Sequence, residues 1–181
     1  MNASANGQSV SDCLQTVEIL DLKTKQIITK QKENLDLSYR HSNIDSSKQI
    51  ILSATFQLKK VHPSQTKETV QNYLEKRLKS QPKGFNAGSI FKNPAKEISS
   101  GYLLDQSGVK LWSEGGAQVT NLHANFINNI NNATSLDVSR LLWRMHHTVK
   151  QKTGHSLCPE IIYIGEPTEE EVKIWNYLNQ H

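Results

Sequence analysis

Residues 86–94 read NAGSIFKNP. The small residues Ala87 and Gly88 lead into Ser89, and Lys92, Asn93 and Pro94 follow within five positions. Gly88 allows the backbone to approach a ligand closely, with Ser89 aimed at its reactive atom. Lys92 and Asn93 suit anionic and polar ligand groups. No GxSxG pattern surrounds Ser89, so Ser-His-Asp hydrolysis is not indicated. The residues alone leave an ordinary surface loop equally open. Two other stretches pose the same choice. Arg40 in YRHS, 39–42, is either exposed on a turn or aimed into a pocket. Glu160, between Pro159 and Ile161-Ile162, is either an edge carboxylate facing water or a partly buried one. Burial would raise its pKa and let it act as an acid or hydrogen-bond donor.

Other chemistries find less support. His146 and His147 are adjacent on an expected helix, so they point about 100° apart and share a metal poorly. One turn beyond His147 stands Gln151, and no HExxH or CxxC pattern occurs, so no metal is expected. No GxGxxG or P-loop pattern is present. Gly115-Gly116 in EGGAQV reads as a bulge or tight turn as readily as a phosphate loop.

The 181 residues provide for one large domain or two small ones, with 36% hydrophobic content. Mean hydropathy is −0.57, and no apolar run approaches the ~20 residues of a membrane span. The N-terminus shows no secretory signal pattern. The net charge of +4 is spread over scattered lysines rather than a stripe interleaved with aromatics. A nucleic-acid partner is therefore not expected. Cys13 and Cys158 form no paired motif, which fits a reducing compartment.

The elements that must position these groups are those of an α+β chain. Residues 16–29 read as a hairpin turning at Lys23-Thr24-Lys25, and 49–58 as a buried strand. In 63–82, Val70, Tyr73, Leu74 and Leu78 recur at helical spacing, Pro63 and Ser64 suit the start, and Pro82 ends it. This charged helix reads as a spacer, with a domain boundary near residue 83. Residues 95–106 read as a short helix ending near Gly108, and 109–119 and 123–128 as strands. The clearest helix is 135–153. Thr134 can cap it, Asp137 suits its first turn, Gly154 ends it, and Val138, Leu141, Leu142, Met145 and Val149 form its apolar stripe. Residues 157–166 read as a last buried strand, with Pro159 at its start or edge. A tail helix would place Val172, Trp175 and Leu178 on one face.

Taken in order, NAGSIFKNP, GYLLDQSGVK at 101–110, GGAQVTNLHANFI at 115–127 and CPEIIYIGE at 158–166 resemble the substrate domain of the UDP-N-acetylenolpyruvoylglucosamine reductase family. These are flavoenzymes of peptidoglycan precursor synthesis, also called UDP-N-acetylmuramate dehydrogenases. Upstream, MNASANGQ at 1–8, SYRHS at 38–42 and ILSATFQLK at 51–59 resemble the second half of the family's FAD-binding domain. The resemblance implies the end of an FAD-binding (PCMH-type) domain over 1–62, a linking helix over 63–83, an α+β substrate-binding domain over 84–166 and a tail over 167–181. It implies an oxidoreductase in which NADPH reduces FAD, flavin passes hydride to C3 of the enolpyruvyl ether, and C2 is then protonated.

Residue by residue, Ser89 matches the proton donor, Arg40 the cation that holds the substrate carboxylate, and Glu160 the group that stabilises the enolate, best as a protonated donor. Tyr39, Lys92, Asn93 and His123 match substrate-contacting positions. Asn2, Ala3 and Gly7 match the cofactor segment. The short stretch between the strand near 58 and Ser89 implies the class without an extra substrate-capping tyrosine loop. Ser4 stands where the family pattern has glycine, and Asn6 where an aromatic is common. The family carries a sizeable region before the segment matched by Met1, roughly a first third that includes the pyrophosphate-contacting turn. The resemblance thus implies an N-terminally incomplete enzyme, with FAD and NADPH as the cofactors and part of the FAD site in the missing region. The alternative is a non-catalytic UDP-sugar-binding module or a remnant without flavin. A monomer acting on a small UDP-sugar is expected, without a membrane partner. Its location would be cytoplasmic, or in an organelle such as a plastid.

Overall fold

The computed structural model describes residues 1–180 and divides the chain into two compact units, Met1–Tyr73 and Leu74 onward. The first unit opens with a small hairpin, β1 (Ser4–Ala5) and β2 (Gln8–Ser9). Asn6 and Gly7 between them both take positive φ, 52° and 78°. Asn-Gly in that conformation is the two-residue turn whose twist matches paired strands. The remaining strands are β3 (Leu14–Asp21), β4 (Ile27–Gln31) and β5 (Gln49–Phe56), in the antiparallel order β4-β3-β5. The expected hairpin over 16–29 is thus present as β3 and β4. Leu14, Val17 and Ile19 point to one face and, with Leu35, make this unit's buried core.

β5 departs from the expected buried strand. Ile50, Ile51 and Leu52 are each about half exposed. It pairs with β3 alone. The register skips Leu52 between the pairs Glu18–Ser53 and Ile19–Ile51. One extra residue breaks the alternation that would keep one side inward.

Helix α1 (Pro63–Ser80) forms where its spacing predicts, with every residue exposed, and runs across the division between the units. The second unit then holds α2 (Ser100–Gln106), the sheet β6 (Ser113–Glu114), β7 (Ala117–Val119) and β8 (Ile127–Asn129), and helices α3 (Ser135–Thr153) and α4 (Glu169–Gln180). α3 has its expected bounds. Thr134 Oγ1 accepts from the Asp137 N–H, Asp137 Oδ2 accepts from the Thr134 N–H, and Gly154 caps the end at φ 75°. Its buried Leu141, Leu142, Met145 and Val149 form the core with Leu104, Val119, Leu157 and Leu178.

Four expectations in this unit are corrected. The helix expected over 95–106 begins only at Ser100, because Ser99 caps it by accepting from the Tyr102 N–H. The strands expected over 109–119 and 123–128 shrink to β6, β7 and β8. The Gly115-Gly116 turn interrupts the first, and a Cβ on Gly116 would strike the backbone of Asn131 and Ala133. Residues 157–166 form no strand. Only Phe91 and Pro159 bridge, and Ile162 and Ile164 are exposed. Pro159 occupies a position where its flanking residues make the ladder bonds, so its missing N–H costs nothing there. On α4 the buried positions are Glu171, Ile174 and Leu178, with Trp175 half-buried and Val172 outward. Glu171 forms a capping box with Thr168, so a buried acid stands on the inner face and shifts its phase.

Candidate functional site

The second unit carries a cavity of about 680 Å³ beside Ser89. Leu74, Arg77, Leu78 and Gln81 form one of its walls. Spaced three and four residues apart, they lie on one face of the end of α1. Gly88, Ser89 and Phe126 also line it. Arg77 and Lys83 give it two cations. Gly88 takes φ 81°, and a Cβ there would meet nothing within 4 Å. It is therefore the conformation, not crowding, that favours glycine before Ser89.

The chain on both sides of Ser89 is anchored. The Gly88 N–H donates to Asn86 Oδ1 at 3.0 Å, and Asn86 Nδ2 reaches Asn128 Oδ1 at 3.3 Å. The Ile90 N–H donates to the Asn125 carbonyl at 3.0 Å. The Glu160 N–H donates to the Ile90 carbonyl at 2.7 Å, and the Lys92 N–H to the Cys158 carbonyl at 2.9 Å. The CPE segment thus lies against the SIFK segment. Glu160, far from them in sequence, thus shares one backbone neighbourhood with Ser89 and Lys92. Glu160 and Ser89 are both half-buried.

Asn93 follows at the end of this segment. Its Oδ1 accepts the Ser100 N–H at 3.0 Å, so that oxygen is committed to holding the start of α2. His123 is tied into the same unit. Its Nδ1 accepts the Asn125 N–H at 3.2 Å, and its ring packs edge-on to Phe126 with centroids 4.9 Å apart. Burial, aided by the Lys110 charge, pushes its pKa below the usual histidine value. It is therefore neutral near pH 7 with the proton on Nε2.

The other expected site residues lie in the first unit. Arg40 takes φ 53°, stacks over the Tyr39 ring at 5.0 Å and donates to Ser4 Oγ at 3.0 Å. Ser4, standing in the family's glycine position, is thus bonded to the very arginine the resemblance singles out. Asn2 binds across the same region: Nδ2 donates to the Ser38 carbonyl and Oδ1 accepts the Ser11 N–H. The Ala3 carbonyl accepts the Val10 N–H. Gly7 completes the hairpin turn. The structure thereby brings Asn2, Ser4, Tyr39 and Arg40 together within this unit.

Sequence reasoning missed Arg77, Phe126 and Asn125. The 74/77/78/81 spacing was a signal for the first. A polar Asn125 flanked by Ala124 and Phe126 in HANFI was a signal for a buried, bonded amide. Among the described residues no group of three or more His, Cys, Asp or Glu could hold a metal ion.

Residues 80–164 match the family model described as UDP-N-acetylenolpyruvoylglucosamine reductase, C-terminal domain. A UDP-N-acetylenolpyruvoylglucosamine reductase of Gloeobacter violaceus is 39% identical over 167 residues, covering 91% of this chain and 56% of that protein. Those of Geobacter metallireducens and Protochlamydia amoebophila are 38% and 41% identical, each with 54% of its length covered. The crystal structure of the Thermus caldophilus reductase superposes with a TM-score of 0.75 at 29% identity, covering 87% of this chain and 56% of that one. The chain spans about half the length of the relatives it matches. Most of the chain is thus similar to UDP-N-acetylenolpyruvoylglucosamine reductases, and residues 80–164 carry the C-terminal domain of that family.

Proposed function

We propose that the chain serves the reduction of the enolpyruvyl ether of UDP-N-acetylglucosamine to the lactyl ether, with Ser89 as the proton donor to C2. The observation that carries this reading is the placement of Ser89 on the wall of a cation-lined cavity, on backbone bonded to the Glu160 segment. A serine hydroxyl is a weak acid, so it protonates only a strongly basic carbon held close and aligned. The anchors at Gly88 and Ile90 supply that alignment. Glu160 stabilises the enolate, while Lys92, Asn93 and His123 contact the substrate. Arg77 and Lys83 supply positive charge suited to the diphosphate. Arg40 and Tyr39 belong to the first unit, and it is the resemblance that assigns them the substrate carboxylate.

In this reaction FAD, reduced by NADPH, supplies the hydride. The residues assigned to it do not make a flavin site by themselves. The Asn2 amide is engaged with Ser38 and Ser11, and Gly7 serves the turn. Asn2, Ala3 and Gly7 are left with backbone contacts to offer. A monomer working in the cytoplasm on a small UDP-sugar is the simplest form of this reading; no helix among the described residues is long and apolar enough to cross a membrane.

A second reading, a UDP-sugar-binding module without catalysis, is favoured by one observation. The cavity is lined by residues from Leu74 onward, all within the second unit. One experiment separates the two. The purified chain is titrated calorimetrically with the enolpyruvyl UDP-sugar, then assayed for substrate-dependent NADPH oxidation with added FAD. Binding with turnover supports the reductase, and binding alone supports the module. Silence in both assays would sink both.

A further inference from the structure

The segment that carries Ser89 is clamped from beneath by a buried amide with no role in the reading above. Asn125 is 3% exposed. Its Oδ1 accepts the Phe91 N–H at 2.9 Å, and its Nδ2 donates to the Phe91 carbonyl at 2.9 Å. One side chain therefore satisfies both backbone groups of Phe91, as a paired strand would. Nδ2 also donates to Ser100 Oγ at 2.9 Å, and that hydroxyl lies 3.2 Å from the Phe91 carbonyl and 3.1 Å from Asn93 Oδ1. The Asn125 carbonyl holds the Ile90 N–H.

We infer that Asn125 is the positioning residue for Ser89, with Ser100 as its support. The inference rests on the proposed role of Ser89. A short loop has no ladder of its own, and its backbone groups, when buried, must be satisfied. Here a single planar amide satisfies them with fixed geometry. Through Ile90 it sets where the Ser89 hydroxyl stands in the cavity. Substrate affinity is shared with Arg77 and Lys83 elsewhere on the cavity wall, whereas proton transfer depends on the hydroxyl's placement to within about an ångström.

Asn125→Asp tests this in the full chain. It keeps the shape and the acceptor for the Phe91 N–H. When ionised it loses both donor bonds and faces the Phe91 carbonyl with like charge. When protonated it regains a donor, and burial raises the pH at which this happens. Amide hydrogen exchange should show protection at Ile90, Phe91 and Lys92 falling ~10-fold or more at alkaline pH, a local opening rather than a global one. Protection should return as pH falls, and amides of the 135–153 helix should be unmoved. In preparations that turn over, kcat should drop ~100-fold with KM within about threefold. Ser100→Ala serves if the aspartate variant fails to fold, and should loosen the same three amides to a smaller degree. Unchanged protection at these amides would overturn the inference, as would a loss spread evenly through the unit or a turnover unaffected by the loosening. The exchange measurement needs no ligand. A wild-type chain that binds no enolpyruvyl UDP-sugar would therefore refute the proposed function, whichever way the exchange result falls.

Discussion

Ser89 sits one residue from two anchors of different kinds, an Asx turn at Gly88 and the Asn125 clamp at Ile90. Its hydroxyl is not needed to hold that backbone. Ser89→Ala should therefore leave the melting temperature and substrate affinity nearly unchanged, while product formation falls ~10²–10⁴-fold. Thermal melts, calorimetry and product assay together check this, and a parallel loss of affinity and turnover would contradict the assignment. The neighbourhood of Ser89 was legible in part. NAGSIFKNP showed the residue types, but not that Asn93 Oδ1 would be committed to Ser100 or that Arg77 would reach the cavity. Both depend on which segments the fold lays side by side.

At the scale of elements, α3 and β5 differ in what decides them. α3 has strong local signals at both ends and a full apolar stripe, and the core closes over that stripe. Leu142 is fully buried there, and Leu142→Ala should cost about 2–5 kcal/mol in a denaturant titration. α4 begins at a capping box whose acid, Glu171, is almost fully buried. Hydrogen bonds from Ser135 and from Thr168 hold its pKa below the ordinary 4.5. A carboxylate depressed in the fold stabilises above its unfolded pKa, and this contribution is lost as pH falls through its folded value. The wild type should therefore melt a few degrees above Glu171→Gln near neutrality, with the gap closing below about pH 4.5. A gap that widens in acid would refute the assignment. The phase of α4 escaped sequence reading because a buried acid does not count as apolar, though the capping box makes its burial tolerable.

For the whole molecule, the contrast is between a second unit with one continuous core and a first unit whose β5 leaves Ile50, Ile51 and Leu52 half exposed. An unpaired, apolar strand edge is a template for association. Ile51→Lys should raise the concentration at which the chain stays monodisperse, as read by light scattering, with little change in stability. An unaltered aggregation threshold would show that the edge is not the sticky surface. The expectation of a buried strand arose because β-branched composition marks a strand but not its cover.

The sequence by itself determined what is local. Thr134, Asp137 and Gly154 bound α3, Lys23-Thr24-Lys25 lies in the turn of the β3–β4 hairpin, Pro82 follows the end of α1, and the ordered motifs carry the family resemblance, because caps, turns and residue identities are settled within a few positions of the chain. Only the tertiary structure decided what depends on distant partners. It reduced 157–166 to a single bridge against Phe91, put Arg77 on the Ser89 cavity, bound Arg40 to Ser4, and closed Asn125 around the backbone of Phe91. Each of these brings together residues that are not neighbours along the chain, and composition and periodicity hold no record of which buried polar group will find which backbone to satisfy.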